Sequence, residues 1–82
     1  LFHLRTAGGE REIDCVIETR RGLIAMEVKH AHRPTRADAR ALDWLRNEAG
    51  PSFVQGFVVH TGTDCYPLGE HILALPVTML TR

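Results

Sequence analysis

The sequence predicts an α/β fold around a mixed β-sheet, and three features predict it. Strand-like stretches recur along the chain, among them "EIDCVIET", "GLIAMEVK" and "FVQGFVVH". The first connections between strands are turn-sized, which favours antiparallel neighbours. A single amphipathic segment, "RADARALDWLRNEA", then separates two apolar strands. That is the arrangement of a crossover helix, which makes its flanking strands parallel. The expected order is a three-stranded antiparallel meander, a crossover helix, a parallel strand, a short last strand and the start of a helix.

Taken in order, "LFHLRTAGGEREIDCVIET" reads as a hairpin. Phe2 and Leu4 alternate with polar neighbours, and Gly8-Gly9 permits a turn with positive φ. In the second strand Ile13, Cys15 and Ile17 are expected on one face, with Glu12, Asp14, Val16 and Glu18 on the other. "TRRG" turns the chain into the third strand. There Ile24, Met26 and Val28 alternate with Leu23, Ala25, Glu27 and Lys29. Thr35 is the expected helix N-cap, with Asp38 in the first turn. Ala41, Leu42, Leu45 and Ala49 form the apolar stripe, opposite Arg36, Arg40, Asp43 and Asn47. Gly50-Pro51 ends the helix. "FVQGFVVHTG" is apolar enough to be buried on both faces. "TDCYPLGEH" is expected to be irregular, "ILALP" a short strand, and "PVTMLTR" the start of a helix with Pro76 at its first position. Trp44 is expected at the edge of the helix–sheet core or in a dimer contact.

The chain has 82 residues, 44% hydrophobic and 24% charged, which suits one small domain. No apolar run is long enough to span a bilayer. "LFHLRTAGGE" has neither the charged start nor the hydrophobic middle of a signal peptide. The first residue is Leu, and the chain opens in a strand, so a fragment of a longer protein is expected. Cys15 and Cys65 read as reduced, buried thiols, which points to the cytoplasm. Formal net charge is zero, which argues against nucleic-acid binding by charge alone. Yet Arg20, Arg21, Lys29, His30, His32, Arg33, Arg36 and Arg40 cluster in one part of the chain.

The charges at the end of the third strand need a reason, since a buried charge is costly unless paired or bound. Glu27 and Lys29 are two apart and share a face. Pairing across "TRRG" brings Asp14 opposite or nearly opposite Glu27. Two carboxylates so close repel unless a cation lies between them. A hard divalent ion with oxygen ligands, Mg²⁺ foremost, resolves the conflict. Such a patch suits phosphodiester hydrolysis, in which Lys29 orients the attacking water and balances charge on phosphorus. The plainer reading is a cross-strand salt bridge on a solvated sheet face.

"EID" followed by "EVK" resembles the signature of the PD-(D/E)XK, or restriction endonuclease-like, nuclease superfamily. The chain as a whole resembles the C-terminal domain of unknown function that follows an AAA+ ATPase module in many bacterial and archaeal proteins. "GEREIDCVIET", "GLIAMEVKHA", "FVQGFVVHTG" and "YPLGEHILALPVTML" carry that resemblance over essentially all 82 residues. It implies a single nuclease-like domain over 1–82, with a restriction endonuclease-like sheet. Asp14, Glu27 and the backbone carbonyl of Val28 would bind Mg²⁺ or Mn²⁺. Lys29 would be the catalytic lysine alongside Asp14 and Glu27, and Glu12 a residue behind the ligands. The superfamily core begins with a helix before the first strand. Neither that helix nor the ATPase module lies within these residues, so the exposed sheet face is expected to be buried in a homodimer.

The remaining residues are weighed on chemistry. His30 and His32 lack a third soft ligand at zinc spacing, so no zinc site is expected. His30, Arg33, Arg36 and Arg40 are candidates for DNA phosphate contacts, with a solubilising role as the plainer reading. His60 is expected to cap a strand end. The sparse aromatics argue against base stacking. Two functions stand: a Mg²⁺-dependent DNA nuclease-like domain, and a non-catalytic DNA- or protein-binding or dimerisation module of the same fold.

Overall fold

In the computed structural model the backbone is described for residues 2–5 and 12–80, and side chains for 13–80. Among the described residues six strands form one mixed sheet, with an α-helix packed across its middle. The strands are β1 (Phe2–Arg5), β2 (Glu12–Thr19), β3 (Gly22–Val28), β4 (Phe53–His60), β5 (Tyr66–Gly69) and β6 (Ile72–Pro76). The helix α1 spans Arg40–Ala49. Across the sheet the order is β1-β2-β3-β4-β6-β5.

The antiparallel meander β1-β2-β3 forms as expected. Its first turn, with Gly8-Gly9, lies outside the described residues. The second is tight: Thr19 Oγ donates to the Gly22 carbonyl and accepts the Arg21 N–H. Gly22 has φ +133°, and a β-carbon there would fall on the Ser52 carbonyl, so only glycine fits. β4 runs parallel to β3, and β6 runs parallel to β4.

Strict alternation in β2 does not survive. Ile13 and Val16 are both buried in the core, although their spacing puts them on opposite faces of a regular strand. The β1–β2 register supplies the reason. Phe2 pairs with Val16 and Leu4 with Ile13, so β2 carries an extra residue beside Asp14 and Cys15. The segment read as irregular contains β5, which pairs antiparallel with β6. The Gly69–Ile72 connection places His71 at φ 60°. The last segment is shorter than expected. Pro76 ends β6, and a 3-10 turn over Val77–Met79 follows.

The crossover helix begins more tightly than expected, as a 3-10 turn over Arg36–Ala39. The Asp38 N–H donates to the Thr35 carbonyl at 2.9 Å, and the Asp38 carboxylate accepts the Thr35 N–H at 2.8 Å. Gly50, at φ 58°, ends α1 by donating to the Arg46 carbonyl. Ala41, Leu42 and Leu45 bury one face of α1 against Ile13, Val16, Ala25, Val58 and Ile72. Trp44 packs at the edge of this core. Asp43 is half-buried and paired with Arg46 at 3.1 Å. The opposite sheet face carries Ile17, Ile24, Met26, Phe57, Leu73 and Leu75, all half-buried and none part of the buried cluster.

Both cysteines are free, but only Cys15 is partly buried; Cys65 is exposed ahead of β5. Among the described residues no helix is long and apolar enough to cross a membrane. Leu42 is fully buried at the centre of the helix–sheet contact. Leu42→Ala is expected to lower the unfolding free energy by about 2–5 kcal/mol in urea titrations, because the surrounding core relaxes only partly around the cavity.

Candidate functional site

The parallel pairing of β3 with β4 builds the site. Glu27 lies beside Val58, and Val28 beside Val59. The hydrogen bonding runs on past the end of β3: the Lys29 N–H donates to the Val59 carbonyl and the Thr61 N–H to the Ala31 carbonyl. Lys29 is therefore held on an extension of the sheet. Being two residues from Glu27, it projects to the same face.

Glu27 and Lys29 form an ion pair, with Lys29 Nζ 2.9 Å from Glu27 Oε2. The pair is asymmetric. The Glu27 side chain is 7% exposed, whereas the Lys29 side chain is 40% exposed. Glu27 Oε1 is buried without a hydrogen-bond partner among the described residues. Burial pushes the Glu27 carboxyl above its ordinary value, against the hydrogen bond and charge of Lys29, which pull it down. The charges of Asp14 and Asp38 push it further up. The hydrogen bond to Glu27 holds Lys29 protonated above its ordinary range, and burial opposes that only in part.

Asp14 reaches the same place by way of the extra residue in β2. Regular pairing with β3 ends at Cys15 and Met26. Beyond it the Asp14 carboxylate replaces a strand carbonyl and accepts the Val28 N–H at 2.7 Å. Asp14, Glu27, Val28 and Lys29 thus come together at one end of the sheet. The Glu12 side chain lies outside the described side chains.

The basic residues divide. His30 is exposed just past the end of β3, and Arg36 and Arg40 are exposed at the start of the crossover helix. Arg33 is exposed too, but it is engaged. It pairs with Asp64 at 2.9 Å and lies over the Tyr66 ring at 4.5 Å from the centroid. The Tyr66 hydroxyl donates to the Pro34 carbonyl, and Thr61 Oγ donates to the Ala31 carbonyl. His60 closes the same loop from inside. Its Nδ1 accepts the Gly62 N–H, so Nε2 carries the proton and donates to the Asp64 carbonyl. His60 is a strand cap with both nitrogens engaged. A β-carbon at Gly62 would fall on the His32 carbonyl, which keeps the two loops in contact.

Two features escape the sequence pattern. Asp38, read as a helix-start residue, also lends its charge to Glu27 and Lys29. The spacing from Thr35 signals the cap; the approach to Glu27 needs the crossover to fold. Asp64 and Tyr66, which fix Arg33, sit in a stretch with no strand signature.

A hard cation fits the residues present in one respect above others. Glu27 Oε1 is a buried carboxylate oxygen lacking a partner, next to an Asp and a strand-end peptide, which is oxygen-donor chemistry suited to Mg²⁺. Among the described residues no three His, Cys, Asp or Glu side chains stand together as a metal cluster. Among the described residues two carboxylates and a peptide are what a cation would meet here, a set suited to an ion that keeps several waters.

The shifts at this pair fix a pH dependence. A carboxyl whose folded-state pKa is raised costs stability once it ionises. A lysine with a raised pKa contributes stability that is lost when it deprotonates. In urea titrations at stepped pH, wild-type stability relative to Glu27→Gln is expected to fall as pH rises from 4.5 through the raised Glu27 pKa. It should then stay level, and fall again above 10.5 as Lys29 loses its proton.

No curated protein and no solved structure matches this chain. A family model matches it over residues 1–80. With nearly every residue of this strand–helix–strand unit inside that match, the chain belongs to the family described as a domain of unknown function, DUF4143.

Proposed function

We propose that the chain is a restriction endonuclease-like domain that hydrolyses DNA phosphodiester bonds with Mg²⁺ or Mn²⁺, and that it works as the C-terminal part of an AAA+ ATPase. The observation that carries this reading is the Glu27 carboxylate. It is buried, it is paired on one oxygen with Lys29, its other oxygen has no hydrogen-bond partner among the described residues, and the Asp14 charge acts on it. Asp14, Glu27 and the Val28 carbonyl would hold the cation. When bound, the cation supplies Lewis-acid polarisation of a phosphoryl oxygen. The ammonium of Lys29 orients the attacking water and offsets the charge that gathers on the phosphoryl oxygens. His30, Arg36 and Arg40 are exposed and would take phosphates of the DNA backbone. Arg33 would join them only from its place over Tyr66, or by leaving Asp64.

A second reading is a non-catalytic module of the same fold, binding DNA or a protein partner or pairing with itself. The sheet face opposite α1 favours it. Ile24, Met26 and Phe57 lie there half-buried, Val28 is 48% exposed, and a homodimer would cover them.

A plasmid-nicking assay with Mg²⁺ and with Mn²⁺ separates the two. The nuclease reading expects metal-dependent cleavage that drops by about 100-fold or more in Asp14→Ala, Glu27→Gln and Lys29→Ala, the scale of losing a group that acts in the transition state. A chain that binds the metal yet leaves DNA intact, alone and when joined to its upstream residues, would establish the second reading instead.

A further inference from the structure

Lys29 is the only lysine in a chain with nine arginines. That choice matters at this carboxylate. An arginine can present a planar fork that takes both oxygens of a carboxylate, whereas an ammonium is a point charge that need engage only one. Lys29 engages Oε2 alone, and Oε1 of the same group stays buried and unpartnered. The Lys29 side chain is 40% exposed against 7% for Glu27, so the ammonium has solvent to move into and the carboxylate has not.

We propose that Lys29 is a displaceable counter-ion. It neutralises the buried Glu27 carboxylate until a divalent cation arrives at Oε1, and it is then released toward solvent and substrate. This rests on the reading of Glu27 as a cation ligand. A divalent ion and an ammonium on the two oxygens of one carboxylate repel each other strongly where water is scarce. The carboxylate has little room to move away from either, because its backbone is paired beside Val58 and its side chain is only 7% exposed. Lys29 is the partner that can move. The exchange ties the two halves of the site together: the lysine is freed to face the scissile phosphate only when the cation is in place.

The test is calorimetric titration of Mn²⁺ into the chain and into two variants. Lys29→Met removes the competitor and is expected to tighten Mn²⁺ binding by about tenfold or more, as removal of a nearby like charge should. Lys29→Arg is expected to weaken it, because the guanidinium can cover both oxygens. Affinity that is equal in wild type and Lys29→Met, or weaker in Lys29→Met, overturns the counter-ion proposal and leaves the cation site standing. No binding in wild type or either variant sinks the cation site and the proposal with it. A second measurement needs no variant. Acylation of Lys29 in the wild-type chain, followed by mass spectrometry, is expected to speed up several-fold at saturating Mn²⁺. A rate that is unchanged or slower overturns the proposal.

Discussion

The parallel pairing of β3 with β4 is the constraint on which the rest depends. It places β3 inside the sheet, with β2 on one side and β4 on the other, so that the end of β3 cannot swing free. It also continues beyond the strand, through Lys29 to Val59 and Thr61 to Ala31, and so determines where the next connection starts. Both groups with shifted pKa values among the described residues, Glu27 and Lys29, lie at that end. Glu27 comes from the strand itself, Lys29 from the residue just past it, Asp14 from its antiparallel neighbour, and Asp38 from the start of the crossover. Parallel neighbours require a long connection, and here that connection brings the Thr35–Asp38 turn back over the strand end.

A carboxylate in this position is held at a cost, and the site is organised around that cost. Burial alone drives Glu27 toward its neutral form, and two further carboxylates add to the pressure. Lys29 answers it on one oxygen. A purely structural ion pair would be better served by satisfying both oxygens, since an unpartnered buried acceptor forfeits the solvation it left behind. The loops that follow β3 and β4 show that the fold can do this where it needs to. His60 has both nitrogens engaged by backbone groups, and Arg33 is held by a carboxylate and a ring at once. Incomplete satisfaction at Glu27 contrasts with complete satisfaction at His60; Asp43 Oδ1 is likewise buried without a hydrogen-bond partner among the described residues, but it faces Arg46 in an ion pair.

Much of this was legible in the residues. The two-residue spacing of Glu27 and Lys29 places them on one face, and a regular strand carries that out. The helix stripe Ala41, Leu42, Leu45 and the stop at Gly50-Pro51 follow from periodicity and from the loss of the left-handed penalty at glycine. The arrival of Asp14 beside Glu27 was legible from the turn; how it arrives was not. An extra residue in β2 is defined by its partner β1, so no pattern within β2 announces it. β5 was hidden by Pro67 and Gly69, which read as loop and are tolerated because β5 is an edge strand. The pinning of Arg33 depends on Asp64 and Tyr66, which are distant in sequence and carry no signature of their own.

The single lysine has a practical side. Reagents that attack primary amines usually decorate a protein at random over its surface. In this chain the only side-chain amine stands at the candidate site, two residues from the buried glutamate. Coupling to an amine-reactive sensor surface, or labelling with an amine-reactive dye, would therefore, apart from any α-amino group, tether or tag the molecule by the very group whose freedom is in question. Thiol chemistry at the exposed Cys65 offers a handle that leaves the lysine untouched.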